Sequence, residues 1–233
     1  MRGFRDIHSH FLYGLDDGAQ SRQDMERMLD AAYQDGIVHL YATPHALPGV
    51  RPFDWGAYRE RLEEARSYCR DKDYPLELHP GAEVLYTPAI EPYALDGRLP
   101  TLDGGDALLV EFVPNIAYRE LENAVALLCR AGYRPILAHI ERCECLYAAN
   151  AAQRLKERYG VRCQLNANSL LESRGFFRDR RIHKWLQNRL IDFIASDAHD
   201  CLRRPFRMTA AHRALASLPL PYANAITGPD NPL

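Results

Sequence analysis

Phe4-Arg5-Asp6-Ile7-His8-Ser9-His10 and Ile191-Asp192-Phe193-Ile194-Ala195-Ser196-Asp197-Ala198-His199 are the stretches whose reading decides the fold. Each is a short apolar or β-branched run that ends in two metal-type side chains spaced two apart, and most of the chain lies between them. A barrel of parallel strands converges such ends on one site, because all of its strands open at the same face. Residues two apart on a strand project to one side, so His8 with His10, and Asp197 with His199, are each placed to grip one metal centre.

Working outward, apolar runs recur at Phe4 to Ile7, Ile37 to Ala42, Leu76 to Val84, Ala107 to Phe112, Pro135 to Ile140, Val161 to Leu165 and Ile191 to Ala195. These are seven candidate strands. Between them, helical spacing runs through Ser21 to Asp35, Asp54 to Asp71, Ala117 to Ala131, Ala149 to Tyr159, Arg180 to Asn188 and about Pro205 to Ser217. Ser21 reads as an N-cap with Asp24 in the capping-box position, and Gly36 and Gly132 read as helix stops. Such alternation predicts an α/β fold with a parallel sheet and helices outside, closed as a barrel or open and doubly wound. The 233 residues fit one domain. Pro44 to Pro52 and Pro88 to Pro100 read as long surface loops, and 218–233 as a tail that is extended or packed against the outside.

The composition, 47% hydrophobic and 26% charged with a net charge of -2, is that of a globular chain without the broad basic surface nucleic acid requires. The chain opens Met1-Arg2-Gly3-Phe4 with no charged-then-apolar leader, and no apolar run approaches the roughly 20 residues that span a bilayer. A cytoplasmic protein with reduced thiols is therefore expected, its six cysteines serving as ordinary core or surface residues. Cys143-Glu144-Cys145 lacks a second pair to complete a tetrahedral site. Cys201 and Arg207 have the spacing of a cysteine-phosphatase loop, but the stretch has no glycine and Pro205 removes a backbone donor, so the match is read as chance.

Placed on the strand map, nearly every strand delivers a candidate ligand. His8 and His10 follow the first strand, His45 the second, Glu83 ends the third, Glu111 lies in the fourth, His139 ends the fifth, and Asp197 and His199 follow the seventh. Asp16-Asp17-Gly18 adds a carboxylate from a loop. Taken singly, a buried histidine is more often a hydrogen-bonded core residue, and an Asp-Asp turn is more often solvated. Glu111 is more telling, since a carboxylate within Leu108-Leu109-Val110-Glu111-Phe112 must be paired, protonated or metal-bound. Five histidines and four carboxylates, counting Asp17, exceed one zinc site and imply two or three metals, with Mn, Fe or Zn suited to mixed imidazole and carboxylate ligation. Clustered divalent ions serve phosphoester hydrolysis, and amidohydrolases use similar sites. Arg142, three residues after His139, and Arg203-Arg204, close behind His199, tip the choice toward phosphate, because a guanidinium holds two phosphoryl oxygens at once. The competing reading pairs these arginines with acids such as Glu141 or Asp200.

Asp6-Ile7-His8-Ser9-His10, Asp16-Asp17-Gly18, Ala42-Thr43-Pro44-His45, Gly81-Ala82-Glu83, Glu111-Phe112, Ala138-His139-Ile140-Glu141-Arg142 and Ser196-Asp197-Ala198-His199 resemble, in order, the motifs of the polymerase-and-histidinol-phosphatase superfamily. Within it they are most similar to the bacterial metal-dependent tyrosine phosphatases of capsule and exopolysaccharide clusters. The resemblance implies a distorted seven-stranded β/α barrel and three metal ions, commonly manganese, on His8, His10, Asp17, His45, Glu83, Glu111, His139, Asp197 and His199. It implies phosphate binding by Arg142 and Arg204, with a metal-bridging hydroxide attacking the phosphotyrosine of a membrane-associated tyrosine autokinase. The alternatives are a phosphatase for histidinol phosphate or another small phosphomonoester on the same barrel, and an inactive barrel that binds phosphoprotein.

Overall fold

The structure is a computed structural model that describes residues 3–172, 175–218 and 223–233. Its strand segments are β1 (Phe4–Ser9), β2 (Ile37–Ala42), β3 (His45–Ala46), β4 (Glu77–Pro80), β5 (Glu83–Leu85), β6 (Ala107–Glu111), β7 (Arg134–Leu137), β8 (Arg162–Asn166) and β9 (Phe193–Ala195). All pairings are parallel, in a three-stranded sheet ordered β1-β2-β4 and a six-stranded one ordered β3-β5-β6-β7-β8-β9. Past β9 the chain returns to β1. Asp197 N–H donates to His8 O at 2.9 Å, and His10 N–H donates to Ala198 O at 2.8 Å, which brings the first and last strands side by side.

Each of the seven expected runs contains strand, but they do not make seven unbroken strands. The path of β2 breaks at Thr43-Pro44 before β3, and that of β4 breaks at Gly81-Ala82 before β5. Pro44 has no N–H for a ladder. At Gly81 a Cβ would stand 2.6 Å from Leu102 Cδ2, so a larger residue there would have to push that side chain aside. Both breaks are stitched by Tyr58 from the helix Trp55–Asp71, whose hydroxyl accepts from Gly81 N–H at 2.8 Å and donates to Ala42 O at 3.1 Å. The result is a curled parallel sheet whose lower edge, at β4, has no second strand neighbour among the described residues.

Side chains fill the concave face of the sheet: Ile7, Tyr41, Leu109, Ile136, Ala138 and Phe193 form one buried cluster. The convex face carries helices. The helix Arg22–Gln34 buries the Met25, Met28, Leu29, Ala32 stripe that its spacing predicted, each large side chain contributing about 1.5–3 kcal/mol relative to exposure. Its capping box is formed: Asp24 N–H donates to Ser21 Oγ at 3.2 Å, and Ser21 N–H donates to Asp24 Oδ2 at 3.0 Å.

Three local expectations change. Pro88–Ile90 and Glu91–Leu95 are helical inside the stretch read as loop, with prolines in first-turn positions where the missing N–H costs nothing. The helix expected from Arg180 begins at Phe176. Of the C-terminal stretch, expected to be extended or packed against the outside, 219–222 lie outside the described residues, and Ala223–Thr227 is a short helix. Beyond it Arg5 Nε donates to Pro229 O and Arg162 Nη1 to Pro232 O, tying this stretch across the upstream ends of β1 and β8.

Candidate metal centre

The downstream ends of the strands meet in one polar cluster inside an otherwise apolar fold. His8, His10, Glu83, His139, Asp197 and His199 are buried there, each at most 3% exposed. The ladder between β1 and β2 shifts register between Asp6 and Ser9, and Asp6 Oδ1 accepts from both His8 N–H and Ser196 N–H. That irregularity turns His8 and His10 into the cluster, with their Nε2 atoms 3.1 Å apart.

Three of the histidines share one arrangement. His8 Nδ1 lies 3.2 Å from Gln164 Oε1, His10 Nδ1 2.7 Å from Asp16 Oδ2, and His199 Nδ1 2.9 Å from Asp197 O. Each partner is an oxygen that only accepts, so each Nδ1 carries a proton and each Nε2 is the nitrogen turned inward, the one left to bind an ion. Fixing the ligand nitrogen through its far neighbour is how proteins orient metal-binding imidazoles. His8 Nε2 faces Glu83 Oε2 at 3.1 Å and Asp197 Oδ1 at 3.5 Å, and His199 Nε2 faces Asp17 Oδ1 at 3.4 Å.

Glu83 is the hub. Its Oε2 lies 3.0 Å from His45 Nδ1 and its Oε1 2.9 Å from His139 Nε2. Burial alone would raise its pKa, but His8, His10, His139 and His45 together hold it well below the carboxylate range. Burial would likewise lower His10, yet Asp16 and Glu83 push it up to about 10, and Asp16 falls to about 2 against that imidazole. Burial and neighbouring His10 depress His199 to about 3, leaving it a neutral donor. Burial and the charge of Glu83 raise Glu111. The field of this cluster draws positive charge to its centre. Glu83 Oε2 is crowded by His45 Nδ1 and His8 Nε2 without the angles of a hydrogen bond, and buried His199 Nε2 has no hydrogen-bond partner among the described residues, which fits donor atoms shaped for ions rather than for one another.

All nine residues singled out from the sequence fall in groups whose ligand atoms lie within 4.8 Å of one another: His10, Asp17, His45 and His199; His8, His10 and Asp197; His8, Glu83 and His139; His45, Glu83 and Glu111. His8 and His10 share a group, as the strand spacing predicted. Asp197 and His199 do not. β9 ends at Ala195, and Asp197 adopts φ 53°, so strand alternation no longer applies. His139, at φ 26°, is the other donor in the left-handed region; such conformations cost about 1–3 kcal/mol each and cluster at functional sites.

Asp16 and Asp17 divide the work of their turn: Asp16 is buried against His10 and also accepts from His45 N–H, while Asp17 reaches His45 and His199 from the rim. Arg142 Nη2 donates to Asp197 Oδ2 at 2.6 Å and Arg204 Nη2 to Asp17 Oδ2 at 2.7 Å. Neither pairs with the acids of the competing reading: Glu141 is buried, accepting from Ser169 Oγ, and Asp200 Oδ1 accepts the backbone N–H groups of 202–204. Cys201 is exposed, with its thiol pushed up by local burial and away from reactive thiolate.

Two residues escaped the sequence reading. Gln164 Oε1 also accepts from His139 N–H at 2.8 Å, its Nε2 donates to Asn166 Oδ1 at 2.7 Å, and Asn166 Nδ2 donates to Asp197 Oδ2 at 2.8 Å. β8 thus supplies no member of the four groups but braces three of their residues, His8, His139 and Asp197. The signal was present: Gln164 and Asn166 are amides alternating inside a buried strand, the same anomaly that marked Glu111.

This curled α/β fold and its donor set are those of a metal-dependent hydrolase, and the comparisons give its family. Residues 4–222 match the family model described as "Capsular polysaccharide synthesis, CpsB/CapC", and the chain belongs to that family. It is 31% identical to the tyrosine-protein phosphatase YwqE of Bacillus subtilis over 207 residues, covering 88% of this chain and 81% of that protein. It is 28% identical to the tyrosine-protein phosphatase CpsB of Streptococcus pneumoniae over 218 residues, covering 91% and 89%. A crystal structure from work on these two proteins, described as unique metal-dependent tyrosine phosphatases, superposes with a TM-score of 0.82 at 29% identity, covering 98% of each chain.

Proposed function

We propose that this chain is a metal-dependent protein tyrosine phosphatase, working as a single domain with three divalent ions, manganese first and iron or zinc next. The observation that carries the reading is the set of three buried imidazoles, each with Nδ1 tied outward and Nε2 turned toward shared carboxylates. His8, His10, Asp17, His45, Glu83, Glu111, His139, Asp197 and His199 are the residues to hold the ions. Divalent ions there supply the Lewis acidity that makes water a nucleophile at neutral pH and offsets phosphoryl charge.

The chain's own groups do the positioning. In both Asp197 and Asp17, one carboxylate oxygen faces imidazoles while the other holds an arginine. Arg142 and Arg204 are thereby stationed at the rim, where each guanidinium grips phosphoryl oxygens and stabilises the charge that builds in an in-line displacement. A cavity of about 230 Å³ opens beside His45, walled by Leu15 and Phe53 and flanked by Arg51 and Arg61; it suits an aromatic ring with acidic neighbours. Tyrosinate, with a pKa near about 10, leaves without a dedicated general acid. The substrate is a phosphotyrosine protein, the membrane-associated tyrosine autokinase of a capsule or exopolysaccharide system, met in the cytoplasm; no helix of the described residues is long and apolar enough to cross a membrane.

The test is turnover by the manganese-supplemented protein of a phosphotyrosine peptide, p-nitrophenyl phosphate and histidinol phosphate. Faster cleavage of the peptide than of histidinol phosphate is expected. The reverse order would replace the reading with a small-molecule phosphatase, and no turnover of any of them would leave a phosphoprotein-binding barrel.

A further inference from the structure

A second constellation of donors sits at the opposite pole of the barrel. On β2 and β4 the register sets His39 beside Glu77 and Tyr41 beside His79. His39 Nδ1 lies 3.0 Å from His79 Nε2 and 3.4 Å from Glu77 Oε2, and His79 Nε2 lies 3.9 Å from that oxygen. Donors around a tetrahedral zinc at about 2.0–2.1 Å are themselves roughly 3.3 Å apart, so this triangle needs only a small adjustment of one exposed glutamate. The apolar plug of Ile7, Tyr41, Leu109 and Ile136 lies between this group and the phosphatase-type cluster.

We propose that His39, Glu77 and His79 form a separate binding site for a zinc-class divalent ion, with water completing the coordination. His79 is oriented as a ligand is: its Nδ1 donates to Asp103 Oδ1 at 3.1 Å, and Asp103 Oδ2 accepts from Tyr41 Oη at 2.7 Å. That carboxylate–imidazole relay fixes Nε2 as the lone-pair nitrogen of His79. His39 Nδ1 then holds the proton of the present hydrogen bond, and on metal binding that proton moves to His39 Nε2, with no net charge change in the ring. Burial and the nearby Arg5 lower the pKa of His39, which favours the neutral ring. Arg5 opposes a cation, but its guanidinium is already engaged by Tyr41 Oη and Pro229 O. Two imidazoles and one carboxylate favour zinc, cobalt, nickel or copper over magnesium and calcium. The ion would clamp β2 to β4 at the edge of the sheet, where β4 has no second strand among the described residues.

The experiment is equilibrium dialysis of the manganese-loaded full chain against micromolar zinc, with metals counted per chain by elemental analysis. The native protein should hold one more zinc than the double variant His39→Ala, His79→Ala, because exchange at the other cluster is common to both. Asp103→Asn and the exposed Glu77→Gln should each weaken that extra zinc by about 10- to 100-fold, with phosphatase turnover unchanged. Equal zinc per chain in native and double variant would overturn the proposal and leave a hydrogen-bonded histidine pair. Should the double variant misfold, native zinc affinity in both single variants would overturn it as well.

Discussion

Replacing Gln164 by leucine tests whether the cluster is held by residues that never touch an ion. The substitution keeps side-chain bulk and removes the acceptor shared by His8 Nδ1–H and His139 N–H, along with the donor to Asn166. His8 is then free to take the other tautomer or rotate, and Asn166 loses the contact that aims it at Asp197. Loss of such an orienting partner weakens metal binding by about 10- to 100-fold, or about 1.4–2.7 kcal/mol. Each donor left buried without an acceptor costs a further ~1–3 kcal/mol of fold stability. Titration of the apo protein with manganese against a competing chelator, on samples shown to be folded by circular dichroism, gives the affinity. Gln164→Glu keeps an acceptor oxygen for both donors and should retain more affinity than the leucine variant. Native manganese affinity in Gln164→Leu would refute the argument that β8 positions the site.

Stripping the metals should lower the melting temperature, since ions that bind only the folded chain stabilise it by about 2.7 kcal/mol per site at a hundredfold excess over Kd, which is about 5–11 °C for a chain of this size; an unchanged scan with chelator would count against a metal-bearing cluster. Arg142→Lys should cut kcat by about 100-fold with metal content retained, because a point charge cannot reproduce the bidentate grip, and native kcat would remove Arg142 from the reaction. Cys201→Ser should leave turnover on p-nitrophenyl phosphate intact, whereas its loss would revive a cysteine nucleophile.

The donors were legible in the sequence because chemistry and position coincide in them. His8, Glu83, Glu111, His139 and Asp197 are polar groups at the ends of apolar runs, and no amphipathic pattern accounts for them. The helix Arg22–Gln34 was legible for a similar reason, its stripe and capping box being local. What stayed hidden depends on long-range geometry. Pro44 marks the first break locally, but the bridging of both breaks by the Tyr58 hydroxyl depends on where a distant helix comes to rest, which no local pattern encodes. The separation of Asp197 from His199 turns on a single left-handed φ. The His39, Glu77 and His79 group could not be seen either, because it exists only through the register of β2 against β4.

The seam between β1 and β9 sets the order of events during synthesis. Asp6 and Ser196 are hydrogen-bonded across 190 positions of chain, and His10 is stacked on His199 with ring centroids 3.8 Å apart. No amount of early folding can complete this pocket, since its last walls leave the ribosome only after residue 199. The groups of His8, Glu83 and His139 and of His45, Glu83 and Glu111 are complete in the chain by residue 139, but the two that need Asp197 or His199 close last, so a chain with all four groups filled has already proved that its two ends found each other.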